Sequence, residues 1–263
     1  MTRITPHTWE VRDHTGILAL NDPPGNYLQN PAFIPLELFD RYLNEAAIRG
    51  LVITGTGKHF SGGASLDTLF QQAGETGDLS KSMEQGKQLL DRIDRLEIPV
   101  IAAIKGLCFG GGLEIALACD LRFCSGNALF AFPESNHNMM PGLSGTLRLP
   151  QQAGYADSLK MILGGDMLNA GEALEMKLVD KVLQDEDPLD HALSFLKKIT
   201  EGRSLKVIGF IMRALRNAGN LPPEEALMEE TRMFCDLARE ESSSRQSAVS
   251  SRQSAVGSQY TED

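Results

Sequence analysis

Glu114 is the residue of this 263-residue chain whose setting most plainly calls for chemistry. It lies in Gly110-Gly111-Gly112-Leu113-Glu114-Ile115-Ala116-Leu117-Ala118, a triple glycine running into a short apolar helix. A lone carboxylate there is costly to bury unless it is paired or used. The glycines matter as much as the acid. The first N–H groups of a helix lack an internal acceptor and sit at the positive end of its dipole, so they suit an anion. A second carboxylate, Glu134, follows Phe130-Ala131-Phe132-Pro133 and, taken by itself, reads more readily as a surface residue than as a catalyst. A second glycine-rich segment, Thr54 to Leu66, contains Phe60-Ser61-Gly62-Gly63-Ala64-Ser65-Leu66. It is too rich in glycine to be held by side-chain packing, and its use is either a tight turn or close backbone approach to a ligand.

Three familiar loop chemistries do not fit these segments. A phosphate-binding loop requires G-x-x-x-x-G-K-[ST], whereas Lys58 is followed by His59 with the wrong glycine spacing. A dinucleotide fingerprint does not accommodate three consecutive glycines. A nucleophile elbow G-x-S-x-G is not met at Gly142-Leu143-Ser144-Gly145-Thr146.

Positioning these groups requires strands and helices in alternation. Trp9 to Leu20 predicts a hairpin turning at Asp13-His14-Thr15-Gly16. Leu36 to Ala47 carries apolar residues at helical spacing, and Leu51-Val52-Ile53 is a buried strand. A helix through Leu89, Leu90, Ile93 and Leu96 stops before Pro99. Val100 to Ile104 is a buried strand, Gly110 to Ala118 a helix, and Leu121 to Cys124 and Ala128 to Phe132 are strands. Tyr155 to Leu163 and Ala170 to Lys177 predict helices, Leu178 to Leu183 a strand, and Leu189 to Thr200 and Lys206 to Asn217 helices. The pattern is an α/β fold of layered strands and helices, with a core over residues 1–185 and a helical region over 186–241. The heptad repeat Ser244-Arg245-Gln246-Ser247-Ala248-Val249, recurring from Ser251, has two apolar residues per unit, too few to offset ordering entropy. Residues 242–263 therefore read as a disordered tail.

Composition narrows the partners. A formal charge of −10, from 35 acidic and 25 basic residues, argues against nucleic acid. The four cysteines show no C-x-x-C spacing and no histidine cluster, so no metal site is expected and the thiols read as reduced. No run reaches the ~18 apolar residues of a membrane span and no signal peptide is evident, which points to a cytoplasmic protein without a membrane partner.

Four segments in register resemble the crotonase (enoyl-CoA hydratase/isomerase) superfamily. Phe60 to Leu66 is similar to a motif F-S-A-G-A-D-L, and Gly110 to Ala116 to G-G-G-x-E-L-A. Phe130 to Glu134 followed by Pro141 to Pro150 resembles F-x-x-P-E and P-G-x-G-G-T-x-R-L-P. Asn169 to Asp180 resembles S-A-x-E-A-L-x-x-G-L-V-D, with Lys177 in the glycine place. Order and spacing hold from about Trp9 to Ala238. The resemblance implies a crotonase-like fold of ββα units with a helical C-terminal part. It also implies that the backbone N–H groups of Ala64 and Gly111 form an oxyanion hole, that Glu114 and Glu134 are the acid/base pair, and that Ser65 and Leu66 contact substrate. The substrate implied is an acyl-CoA or acyl-carrier thioester of fatty acid metabolism, with no other cofactor, and the assembly a homotrimer or hexamer. Ser65 stands where the family usually has Asp, the connection between the Leu36 helix and the Leu51 strand is several residues short, and the closing A-F-x-E-K-R-x-P-x-F pattern is absent. An oxyanion hole also serves isomerases, decarboxylases and thioester hydrolases, and a non-catalytic thioester-binding protein would share the fold. The presence of both Glu114 and Glu134 favours water addition or removal.

Overall fold

A computed structural model describes residues 5–74 and 78–257, in two compact units, Met1–Gly202 and Arg203–Asp263. The first unit contains β1 (His7–Arg12), β2 (Thr15–Leu20), α1 (Leu36–Ala46), β3 (Gly50–Gly55), α2 (Leu66–Gly74), α3 (Asp78–Asp94), β4 (Val100–Ile104), β5 (Leu107–Phe109) and α4 (Gly111–Leu117). It continues through β6 (Leu121–Ser125), β7 (Leu129–Ala131), a 3-10 turn Pro133–His137, α5 (Gly145–Ala153), α6 (Tyr155–Gly164), β8 (Leu168–Asn169), α7 (Ala170–Glu175), β9 (Lys181–Leu183) and α8 (Pro188–Thr200). This is the layered α/β architecture predicted from the strand and helix pattern.

The main sheet has the order β1-β2-β3-β4-β6-β9, parallel except for β1, and a smaller sheet has the order β5-β7-β8. β1 and β2 pair through the two-residue turn Asp13-His14, both at positive φ (45° and 64°) as a tight hairpin requires. Every residue of β2, β3 and β4 is buried, so these strands read as continuous apolar runs rather than alternating ones. Alternation reappears in what each face touches. Leu51, Ile53, Ala102 and Ile104 join the larger core cluster with Phe39, Leu89, Leu90 and Ile93, whereas Val52, Ile101 and Ala103 pack with Ala192 and Leu196 of α8. Successive side chains point to opposite faces, so one strand serves two cores.

This second core moves one expected boundary. The core domain was predicted to end near residue 185, yet α8 packs on β3, β4 and β6 and closes the first unit, which extends to Gly202. Leu189, Leu193 and Phe195 cover the face that Val52, Ile101 and Phe123 would otherwise expose. Two side-chain carboxylates pin the strand ends behind α4. Asp120 Oδ2 accepts from Val100 N at 2.7 Å, and Asp180 Oδ2 accepts from Arg122 N at 2.7 Å. The buried Arg122 guanidinium is itself satisfied by the carbonyls of Leu178 and Cys119 and by Asp180.

In the second unit α9 (Leu205–Asn220) and α10 (Pro223–Gly257) contact one another, and Lys206 pairs with Glu240. Ile208 and Met233 are buried. The tail differs from its sequence reading. The backbone from residue 242 to Gly257 continues α10 as helix where no regular structure was expected, and residues 258–263 lie outside those described. Ser, Gln, Ala and Arg tolerate helix, no proline interrupts, and Arg245 pairs with Glu241 one turn earlier at 2.8 Å. Among the described residues no helix is long and apolar enough to cross a membrane.

Candidate active site

β5 and the segment after β3 meet side by side. Ser61 N donates to Leu107 O at 2.9 Å and Phe109 N to Ser61 O at 3.0 Å, a parallel bridge between Ser61 and Cys108. On its other side the same segment bridges Leu28, with Leu28 N on Gly63 O at 2.8 Å and Ser65 N on Leu28 O at 3.1 Å. Because the neighbours of Ala64 supply both of those bonds, its own N–H points away from Leu28. No acceptor among the described residues takes it. Gly111 opens α4, so its N–H likewise has no acceptor within the helix. The two groups are close: a Cβ on Gly111 would lie 3.9 Å from Ala64 N. Both residues line one cavity of about 670 Å³.

Both carboxylates line that cavity, in different settings. Glu114 is 2% exposed. Its Oε1 accepts from Leu143 N and Gly145 N, each at 2.6 Å. Ser144, between those donors, holds φ at 84°, a left-handed conformation that lets residues on either side aim at one oxygen. It occupies a position where the family motif carries glycine. Burial raises the Glu114 carboxyl to about 7; the Gly145 amide opposes that shift and Glu134 adds to it.

Glu134 sits in the 3-10 turn that follows β7 and is partly exposed. Its Oε2 is buried with no hydrogen-bond partner, and burial raises this carboxyl also. Gly110, at φ 49° and ψ −124°, makes room for it: a Cβ there would stand 2.7 Å from Glu134 Oε1. Only glycine adopts that backbone conformation without strain.

Ala64, Ser65, Gly111, Glu114 and Glu134, all singled out in the sequence, converge on this cavity. Ser65 also accepts from Thr68 Oγ1 at 3.0 Å. Leu66 begins α2, and its side chain lies outside those described. Not singled out in the sequence are Tyr27, whose ring lies against Gly62, and the wall residues Met83, Met140 and Leu143, which stand beside Leu69 and Leu79. The apolar spacing of α3 signalled a core helix, and only the fold shows that Met83 faces the site.

Known proteins resemble this chain over most of its length. A family model described as enoyl-CoA hydratase/isomerase matches residues 17–255. A probable enoyl-CoA hydratase of Bacillus subtilis (strain 168) is 32% identical over 235 residues, covering 89% of this chain and 90% of that protein. The (E)-benzylidenesuccinyl-CoA hydratase of Thauera aromatica is 36% identical over 206 residues, covering 77% of this chain and 79% of that protein. The crystal structure of an enoyl-CoA hydratase from Polaromonas sp. JS666 superposes with a TM-score of 0.80 at 27% identity, covering 88% of this chain and 90% of that chain.

Proposed function

The chain belongs to the enoyl-CoA hydratase/isomerase family, and from that premise we propose that it adds water across the α,β double bond of an acyl-CoA thioester, or removes it. The observation that carries this reading is the pair of unlike carboxylates facing one cavity with two free backbone N–H groups. A binding protein has no physical need of two acids whose burial opposes their ionisation.

The thioester oxygen accepts from Ala64 N–H and Gly111 N–H. Two fixed donors aimed at a developing oxyanion in a water-poor site contribute several kcal/mol, on the order of 3 for each donor. The carboxylates then divide the proton work. Glu114 Oε1 is occupied by two donors that cannot themselves receive a proton. The ionised Glu114 therefore takes a proton from water on Oε2. The water oxygen bonds to Cβ, the π pair moves toward the thioester, and the enolate oxygen rests on the two N–H groups. Glu134, whose Oε2 is buried without a partner and whose proton affinity burial raises, gives a proton to Cα. The thioester product leaves with Glu114 protonated and Glu134 ionised, and exchange with solvent restores both. Dehydration is the same path reversed.

Incubation with crotonyl-CoA in water enriched in oxygen-18 tests this reading. Hydration yields a 3-hydroxyacyl-CoA carrying the heavy oxygen and loss of the conjugated absorbance. A shifted double bond without oxygen uptake identifies an isomerase instead, and no change in crotonyl-CoA at all contradicts both.

A further inference from the structure

The edge strand β9 and the start of α8 bring together Lys181, Glu186 and His191, none of which lines the reaction cavity. Lys181 opens β9 in register with Phe123 of β6. Neighbours across a ladder share a face of the sheet, so the lysine side chain leaves on the side where Phe123 meets α8. There Phe123 packs edge-on against the His191 ring, with centroids 5.3 Å apart. His191 lies in the first turns of α8, whose start is fixed by Asp187 accepting from Leu189 N at 2.8 Å. Glu186 immediately precedes that cap.

His191 Nδ1 lies 2.7 Å from Glu186 Oε2, and its Nε2 lies 3.1 Å from Lys181 Nζ. One tautomer satisfies both contacts. An ammonium can only donate, so Nε2 accepts from Lys181 and the ring proton sits on Nδ1, donated to the carboxylate. The ammonium and the carboxylate are thus joined through the imidazole. An exposed lysine ordinarily meets a carboxylate directly, as Lys160 meets Asp157 at 2.9 Å. Here an amine, a base within reach of it and a carboxylate that orients the base follow one another, the arrangement that activates a weak nucleophile. The His191 side chain is 18% exposed and braced by Phe123, while Lys181 is open to solvent.

We propose that Lys181 is a self-acylation site, at which the amine, relieved of a proton by His191, attacks an acyl-CoA thioester and keeps the acyl group as an amide. The inference rests on the thioester reading only for the choice of donor. His191 Nε2 takes one ammonium proton, and the imidazolium so formed is paired with Glu186. The Nζ lone pair bonds to the thioester carbonyl carbon, a second nitrogen proton passes to water, and the C–S bond breaks. The departing thiolate takes the proton from His191 Nε2, which restores the ring. The products are the acylated lysine, free coenzyme A and one proton in solvent.

The test incubates the full chain with acetyl-CoA, which has no carbon–carbon double bond to hydrate, and follows acetylation of each lysine by peptide mass spectrometry. Lys181 is expected to react about tenfold or more faster than Lys160, a modest share of the roughly 10²–10⁴ that a positioned base contributes. His191→Gln removes the base and is expected to bring Lys181 down to the Lys160 rate. Glu186→Gln, at an exposed position, is expected to lower the Lys181 rate severalfold. A Lys181 rate within about twofold of Lys160 in the parent would overturn the proposal, and so would an excess that either folded variant leaves intact. Hydration of crotonyl-CoA, measured alongside, separates the two readings. Hydration without preferential labelling of Lys181 defeats self-acylation alone, whereas preferential labelling in a protein that adds no water defeats the hydratase reading alone.

Discussion

The two carboxylates of the site occupy regions built in opposite ways. Glu114 stands on a helix sealed into the core, one oxygen held by two amide N–H groups from a loop about thirty residues later. Glu134 stands on a single 3-10 turn at the cavity rim, one oxygen buried and unbonded. Burial raises both pKa values, and hydrogen bonding opposes the rise in both, through loop amides that include Gly145 and Leu143 at Glu114 and through its own backbone at Glu134. The two loop amides also decide which Glu114 oxygen remains free for the proposed proton transfer.

Crowding Glu134 is the harshest way to break this asymmetry. Gly110→Ala places a methyl group where Glu134 Oε1 now lies and forces a non-glycine residue into a glycine-only conformation. The expected result is a kcat lowered by about 10² or more and a native state destabilised by roughly 1–3 kcal/mol. Steady-state kinetics and thermal melts measure both, and unaltered kcat in a folded variant would show that the position of Glu134 does not matter.

Glu114→Gln sharpens the contrast through stability. The Glu114 carboxyl is raised from 4.5 to about 7 in the folded chain, so the native state holds its proton more tightly than the unfolded chain does. Its contribution to stability is full below 4.5 and is lost as pH rises through about 7. Glutamine keeps a carbonyl oxygen for Leu143 N and Gly145 N but carries no charge. The variant should therefore gain up to about 3 kcal/mol over the parent at pH above 7, and little in acid. Glu134→Gln should gain less, since that carboxylate is partly exposed. Denaturant melts of both variants across pH check the ordering, and equal gains would erase the distinction between the two regions.

The smallest effect concerns the loop that supplies Glu114's donors. Ser144→Gly relieves a left-handed conformation and should stabilise by about 1 kcal/mol. Lys177, also in a place where the family motif has glycine and also left-handed at φ 61°, should respond alike although it lies away from the cavity. A rise of about 2–4 °C in melting temperature is the expected sign. A fall at Ser144 alone would mean that the serine side chain supports the Glu114 loop.

Much of this arrangement is legible in the sequence, and the illegible parts share a cause. Val100 to Ile104 and Leu51 to Ile53 announce strands because both faces are covered and every position is apolar. The run Gly110 to Ala118 announces the helix start and its anomalous acid. The motifs bring Ala64, Gly111, Glu114 and Glu134 together because their order carries the fold. What pins Glu114 is not legible, since the donors are backbone groups of Leu143 and Gly145, indifferent to side-chain identity. β5 and α2 escape notice because one is three residues long and the other opens inside a glycine-rich segment. The methionine wall is a matter of which way α3 turns, and the helical backbone past residue 242 follows from permissive propensities rather than an apolar pattern.

The division of labour between the carboxylates is tested most directly by kcat for hydration of crotonyl-CoA in Glu114→Gln, Glu134→Gln and the double variant, followed against pH. Each single variant should lose about 10²–10⁴, and the double should lose far less than the product of the two, because the pair acts as one unit. In the parent, kcat should fall as pH drops below about 7, where Glu114 takes up a proton and can no longer accept one from water. Glu134→Gln should retain that acid limb on its residual rate and Glu114→Gln should lose it. Full activity in either single variant, or an acid limb that survives Glu114→Gln, would contradict the account.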